Sequence, residues 1–143
     1  MANTNLIICN VSESLKEILN QFKFNKCKTN SALIVKVNKT IMELELDQKL
    51  EDVDVDELCN ELPSHEPRFV VLSYVFKQVD GRISYPYCLI FSTPIGCKPE
   101  LQMMYAGSFN NLVSIGQITK SFEVRNPEEI SVEWLEEKLK FFR

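Results

Sequence analysis

Apolar residues recur along this chain with two periods, and the change from one to the other divides it into elements. Between Glu13 and Phe24 the spacing is helical: Leu15, Ile18, Leu19 and Phe22 fall at i, i+3, i+4 and i+7 and mark one buried face. Ser12 or Ser14 stands where a cap is needed, and Ser14 with Glu17 matches a capping box. The period then drops to two. Leu33, Val35 and Val37 share one face of a strand, and Met42, Leu44 and Leu46 share one face of the next, with Glu43 and Glu45 opposite. This alternation predicts two strands with one wet face each, joined by a turn at Asn38-Lys39-Thr40. A short helix follows, with Asp54 as N-cap, Glu57 as its box partner, Val55, Leu58 and Leu62 as its apolar stripe and Pro63 as its stop.

Phe69–Phe76 and Tyr87–Phe91 differ from the earlier strands in being apolar on both faces. Such strands belong at the centre of a sheet that is covered on each side. Val79-Asp80-Gly81-Arg82 between them carries the Asp-Gly hairpin signal. A long helix comes next, then a strand at Ser121–Arg125. The last helix is capped by Ser131; Leu135, Leu139 and Phe142 line its buried face, Trp134 and Phe141 broaden it, and Glu136 with Lys140 form an i, i+4 pair on the wet side. Four helices and five strands thus account for most of the chain. The pattern predicts an α/β fold: a central mixed β-sheet sandwiched between helices, in a single domain spanning residues 1–143.

The long helix opens at Pro99, and its faces differ in character. At about 100° per residue, Leu101, Met104, Tyr105, Ser108, Leu112 and Ile115 fall within an arc roughly 100° wide, which is the core stripe. Ser108, small and central, lets the helix approach the sheet closely. Met103, Gly107, Asn110 and Ser114 lie on the opposite side, with Glu100 at one edge. Phe109 and Val113 sit on the flank, at the core edge or at an interface rim. The outward face is nearly uncharged and includes a glycine, which costs about 1 kcal/mol of helix propensity relative to alanine. Two readings of Met103 stand side by side: an isolated exposed apolar residue, which is common, or a flexible plug for a partner's groove.

Composition narrows the function classes. The 143 residues are 45% hydrophobic and 25% charged, an ordinary globular mix, with a net charge of −4. An acidic chain is poorly suited to general nucleic-acid binding. No apolar run reaches membrane-spanning length, and the opening Met1–Asn10 lacks the signature of a secretory signal, so the expected setting is cytoplasmic. Five unpaired-looking cysteines, Cys9, Cys27, Cys59, Cys88 and Cys97, read as small apolar residues rather than a disulfide framework. His65 is the single histidine and is read as a solvated loop residue, with no nucleophile at a catalytic spacing. Asp52, Asp54 and Asp56 resemble the start of a calcium loop, but the glycine is missing and Pro63 stands where the closing Glu belongs. No catalytic residue, metal or cofactor is expected.

Lys98-Pro99-Glu100 followed by Met103-Met104-Tyr105-Ala106-Gly107-Ser108 resembles the long-helix motif of actin-depolymerising factor homology domains. The run from Gly96-Cys97-Lys98 through that helix resembles the glia maturation factor branch in particular. Pro67-Arg68-Phe69, Ser84-Tyr85-Pro86, Phe122-Glu123-Val124-Arg125-Asn126 and Glu133-Trp134-Leu135 fit the same pattern, so the resemblance runs from Leu6 to Phe142. It implies the actin-depolymerising factor homology fold. It also implies a monomeric, non-enzymatic regulator that binds the actin-related protein 2/3 complex, suppresses branched nucleation and promotes debranching, with actin at branch junctions as a further partner and no nucleic acid or membrane. The alternative within the family is cofilin-like filament binding and severing, which Lys23, Lys26 and Lys98 leave open.

The family's first surface maps onto Asn3, Thr4 and Asn5, onto Glu100, Gln102, Met103, Gly107 and Asn110, and onto Glu128 and Glu129. Its second surface maps onto the hairpin tip at Asp80 and Arg82. Cofilin-like relatives carry lysines around the helix methionine, whereas this chain has Glu100 and Gln102, a rim ill-matched to an acidic filament. The chain departs from the pattern after Ser108, where Phe109-Asn110-Asn111 replaces a basic run, and at Ala2, where the family often has serine.

Overall fold

The computed structural model describes residues 9–23 and 29–140. The expectations placed on Asn3, Thr4, Asn5, Phe24, Cys27, Phe141 and Phe142 lie outside them. Along the described chain come Asn10–Val11 (β1), Glu13–Lys23 (α1), Ser31–Asn38 (β2), Glu43–Glu51 (β3), a 3₁₀ helix at Val55–Glu61, and Arg68–Ser73 (β4). Phe76–Lys77 (β5), Ile83–Ser84 (β6), Tyr87–Ser92 (β7), Pro99–Gly116 (α2), Lys120–Val124 (β8), a 3₁₀ turn at Pro127–Glu129 and Val132–Leu139 (α3) complete it.

The two strands apolar on both faces pair with each other, Phe69 opposite Phe91 and Leu72 opposite Cys88, near the middle of a six-stranded sheet ordered β1-β3-β2-β4-β7-β8. β1 joins β3 and β8 joins β7 in parallel; the other pairings are antiparallel, so the sheet is mixed as expected. Its two faces bury two cores. On one, α1 and α2 cover Leu33, Val35, Phe69, Val71 and Leu89. On the other, the 3₁₀ helix and α3 cover Ala32, Ile34, Val70, Leu72 and Ile90.

Several local expectations are corrected. β2 has no wet face over its first half, because Ala32 and Ile34 are fully buried in the second core. Met42 lies in the turn, at φ 54°, rather than in β3. Ser12, not Ser14, caps α1: its hydroxyl accepts the Leu15 N–H at 3.2 Å, and Ser14 is already helical. The short helix expected after Asp54 is present as a 3₁₀ helix, and Asp54 caps it as expected by accepting the Asp56 N–H at 3.0 Å. The apolar run from Phe69 breaks at Ser73; Phe76–Lys77 instead pairs with Ile83–Ser84 in a separate two-stranded ribbon that carries the Asp-Gly tip. Glu136 accepts the Tyr74 hydroxyl rather than pairing with Lys140.

Two of the three aspartates of the apparent calcium loop find a structural use. Asp54 caps its own helix, and Asp56 Oδ1 accepts the Val132 N–H at 2.9 Å, next to the Ser131 hydroxyl that accepts the Trp134 N–H at 3.1 Å. Two side chains thus satisfy the first free amides of α3 and tie it to the 3₁₀ helix. Asp56→Ala is expected to lower stability by about 1 kcal/mol. Urea denaturation should show a lower midpoint with an unchanged slope.

Candidate functional site

α2 begins where its sequence allows. Pro99 occupies the first turn, where a missing N–H is harmless, and Glu100 places a negative charge at the positive end of the helix. Ahead of it, Gly96 takes the left-handed φ of 101° that turns the chain between Pro94 and Cys97. The turn leaves Ile95 75% exposed just before the helix.

Polar side chains fix which way α2 faces. Tyr105 is buried, and its hydroxyl accepts the Val37 N–H at 3.0 Å. With Val35 paired to Phe69, Val37 falls opposite Pro67, just before β4 begins; the phenol supplies the acceptor that the neighbouring strand does not. Arg68 donates to the same hydroxyl at 3.4 Å, to Glu66 at 2.9 Å and to Asp47 at 3.3 Å. Burial opposes the Arg68 charge, but the bond to Glu66 and the charges of Asp47 and Glu66 raise its pKa above the ordinary value. Burial likewise pushes the Tyr105 phenol up, against the pull of Val37 and Arg68. One turn on, Ser108 is fully buried; its hydroxyl accepts the Cys9 N–H at 3.0 Å and donates to the Met104 carbonyl at 2.8 Å. Asn111 completes the clasp by donating to the Cys9 carbonyl at 2.9 Å. At the far end, Tyr87 donates to the Gly116 carbonyl at 3.1 Å, and Lys23 of α1 bonds to Gln117.

With that side held, the opposite side is presented to solvent. Met103 is 52% exposed, and Pro99, Glu100, Ala106, Asn110 and Ser114 are exposed around it. Gly107 is half-buried. Glu100 is the only charged side chain among the 18 residues of α2. The other helices differ: α1 carries Glu13, Lys16, Glu17 and Lys23, and α3 carries Glu133, Glu136, Glu137 and Lys138. A solvated helix normally looks like those two. Phe109 and Val113 are partly buried and pack against the edge of the core.

A family model described as cofilin/tropomyosin-type actin-binding protein matches residues 8–140. Glia maturation factor beta of Homo sapiens is 53% identical over 137 residues, which cover 96% of this chain and 96% of that one. The chain belongs to the glia maturation factors. The glia maturation factor of Drosophila melanogaster is 44% identical over 133 residues, 93% of this chain and 96% of its own. The solution structure of the glia maturation factor from Caenorhabditis elegans superposes with a TM-score of 0.82 at 45% identity, covering 93% of this chain and 96% of that one. The actin-depolymerising factor homology fold expected from the sequence is therefore the fold found, and the family is an actin-binding one rather than a class of enzymes.

In this glia maturation factor the mapped residues fall into two groups. Glu100, Gln102, Met103, Gly107 and Asn110 lie along α2, but Gln102 is half-buried and donates to Thr93 at 3.0 Å. Glu128 and Glu129 lie in the 3₁₀ turn, on the same side of the sheet ends as the start of α2: the Ile95 N–H reaches the Arg125 carbonyl at 3.2 Å, and Asn126 caps the turn. Beside the turn a groove of about 400 Å³ is lined by Ile95 and Pro94, by Leu62 from the end of the first 3₁₀ helix, and by Arg125, Asn126 and Glu128. Asp80 and Arg82, joined by a 2.7 Å ion pair, lie elsewhere: their ribbon leaves the Ser73/Tyr87 end of the central strands, whereas α2 follows from the Ser92 end. The sequence reading missed Ile95, whose flanking Pro94 and Gly96 signal an exposed turn, and Ala106, an alanine on the outward arc.

Tyr105→Phe should cost about 1–2 kcal/mol at neutral pH, because the Val37 N–H loses its buried acceptor. Alkaline conditions give an independent check. Burial pushes Tyr87 up to about 12, and Tyr105 is raised as well, whereas an unfolded phenol ionises near 10. Stability should stay level below about pH 10 and fall between about pH 10 and 12, as the unfolded chain releases protons that the native state retains. Urea titrations across that range should show a shallower fall in Tyr87→Phe.

Proposed function

We propose that this chain binds the actin-related protein 2/3 complex through the outward face of α2, suppresses branched nucleation and promotes debranching, with actin at branch junctions as a second contact. The observation that carries the reading is Met103, half exposed on a helix face whose only charge is Glu100. A face of this kind suits insertion into an apolar cleft, since no charge must be desolvated at its centre. The methionine adapts its shape to the cleft wall. Ile95 extends the apolar surface into the groove that Glu128 also lines, and Glu100 with Gln102 gives the helix methionine an acidic or neutral rim. Such a rim is repelled by an acidic filament surface, and this favours the branching complex over cofilin-like filament binding. The hairpin at Asp80 and Arg82, at the end of the central strands opposite the start of α2, fits a separate contact with a neighbouring subunit, and the fully exposed Val79 at its tip adds an apolar element. The protein would then work at branched networks in the cytoplasm.

Met103→Asp tests the placement. It puts a charge at the centre of the proposed plug without touching the core. Binding to purified actin-related protein 2/3 complex should weaken by at least about 1.4 kcal/mol, a factor of ten, while the denaturation midpoint stays put. Unchanged affinity in a folded variant contradicts the site. Sedimentation with bare actin filaments separates the two family readings: little co-pelleting is expected at physiological salt, and strong co-pelleting would favour the cofilin-like one.

A further inference from the structure

The side of β8 that looks towards α2 is not covered by the helix. Phe122 and Val124 point into the second core, but Ser121 and Glu123 on the other face are exposed. Between that face and α2 lies a groove of about 380 Å³. Phe91 and Phe109 line it, their rings 6.0 Å apart and inclined at 34°. Ala106 and Asn110 form its helix side, and Ser121 and Glu123 its strand side. Ala106 and Asn110 also belong to the outward face around Met103, so groove and face are continuous.

The chemistry of the groove is one-sided. Among the described residues no cation pairs with Glu123. On α2 and the facing positions of β8, Glu100 and Glu123 are the only charges. The groove beside Glu128, by contrast, contains Arg125 and so carries both signs. An aromatic wall, an amide and a free carboxylate together match one kind of side chain. A guanidinium lies flat against an aromatic ring, bonds a carboxylate through two N–H groups and buries its apolar stem along the channel.

We propose that this groove receives an arginine side chain of the docking partner, with Glu123 as its counter-ion and Phe109 as its stacking surface. The identity of the partner rests on the docking reading of α2; the arginine preference of the groove does not. Two measurements keep them apart. In the first, the labelled protein is titrated with N-acetyl-arginine amide, with the neutral citrulline and norleucine analogues as controls, and backbone amide shifts are followed. Arginine should move the signals of Ala106, Asn110, Ser121 and Glu123, citrulline and norleucine should not, and Glu123→Gln should abolish the response. No arginine shift at these positions, or equal shifts from citrulline or norleucine, overturns the proposal. In the second, Glu123→Gln and Ala106→Met, which fills the groove mouth, are each measured for binding to the actin-related protein 2/3 complex. Each should weaken it about fivefold or more, and the loss with Glu123→Gln should shrink as salt rises. Wild-type affinity for both variants overturns the role of the groove in docking. If Met103→Asp also binds normally, the docking reading itself fails, while the arginine titration still decides what the groove accepts.

Discussion

The Val37 N–H is the small constraint on which much of this molecule turns. It lies where β2 runs past the start of β4, so its neighbouring strand supplies no acceptor. A buried amide left in that condition costs more than most single contacts contribute. Tyr105 resolves it at 3.0 Å, and can do so only if α2 is rotated with that residue against the sheet. Ser108 and Asn111 reinforce the setting by holding both the N–H and the carbonyl of Cys9. Apolar packing alone tolerates sliding and small rotations of a helix; directional bonds at three points along α2 do not. The exposed position of Met103 is the other side of that same fixation.

The sheet then divides the molecule by task. Its central strands β4 and β7 are apolar on both faces and belong to both cores. α3 and the 3₁₀ helix close one face with charged outer surfaces and paired caps, the features of elements that end at solvent. α2, whose single charge is Glu100, closes the other face together with α1, and leaves the α2-facing side of edge strand β8 uncovered. The ribbon of β5 and β6 projects from the opposite end of the central strands.

Much of this was readable from periodicity. The arc through Leu101, Met104, Tyr105, Ser108, Leu112 and Ile115 is the side of α2 that packs on the core, and the strands apolar on both faces are central. What periodicity could not supply were contacts between residues far apart in sequence. Ser108 reads as a small residue that permits close approach; its bond to Cys9, 99 positions away, gives it a second purpose. Asn111 reads as a lost family cation, yet it holds a carbonyl of the chain leading into β1. Ala32 and Ile34 looked like the outer side of an alternating strand because nothing local announces that α3 and the 3₁₀ helix return to cover them. β1, β5 and β6, at two residues each, are too short to show a period at all. For the site, the sequence and its resemblance picked out the α2 positions; it took the fold to show that Gln102 is engaged with Thr93 and that Ile95 stands exposed beside them.

The central claim is that the outward face of α2 is a plug that a partner covers. Hydroxyl-radical footprinting measures this on the unmodified protein, because methionine is readily oxidised where it is exposed. Met103 is half exposed, whereas its neighbour Met104 is buried and serves as an internal reference. With saturating actin-related protein 2/3 complex, oxidation of Met103 should slow several-fold relative to the free protein, while the slow oxidation of Met104 stays unchanged. Oxidation of Met103 at its free-protein rate, under conditions where binding is shown to be complete, would contradict the account.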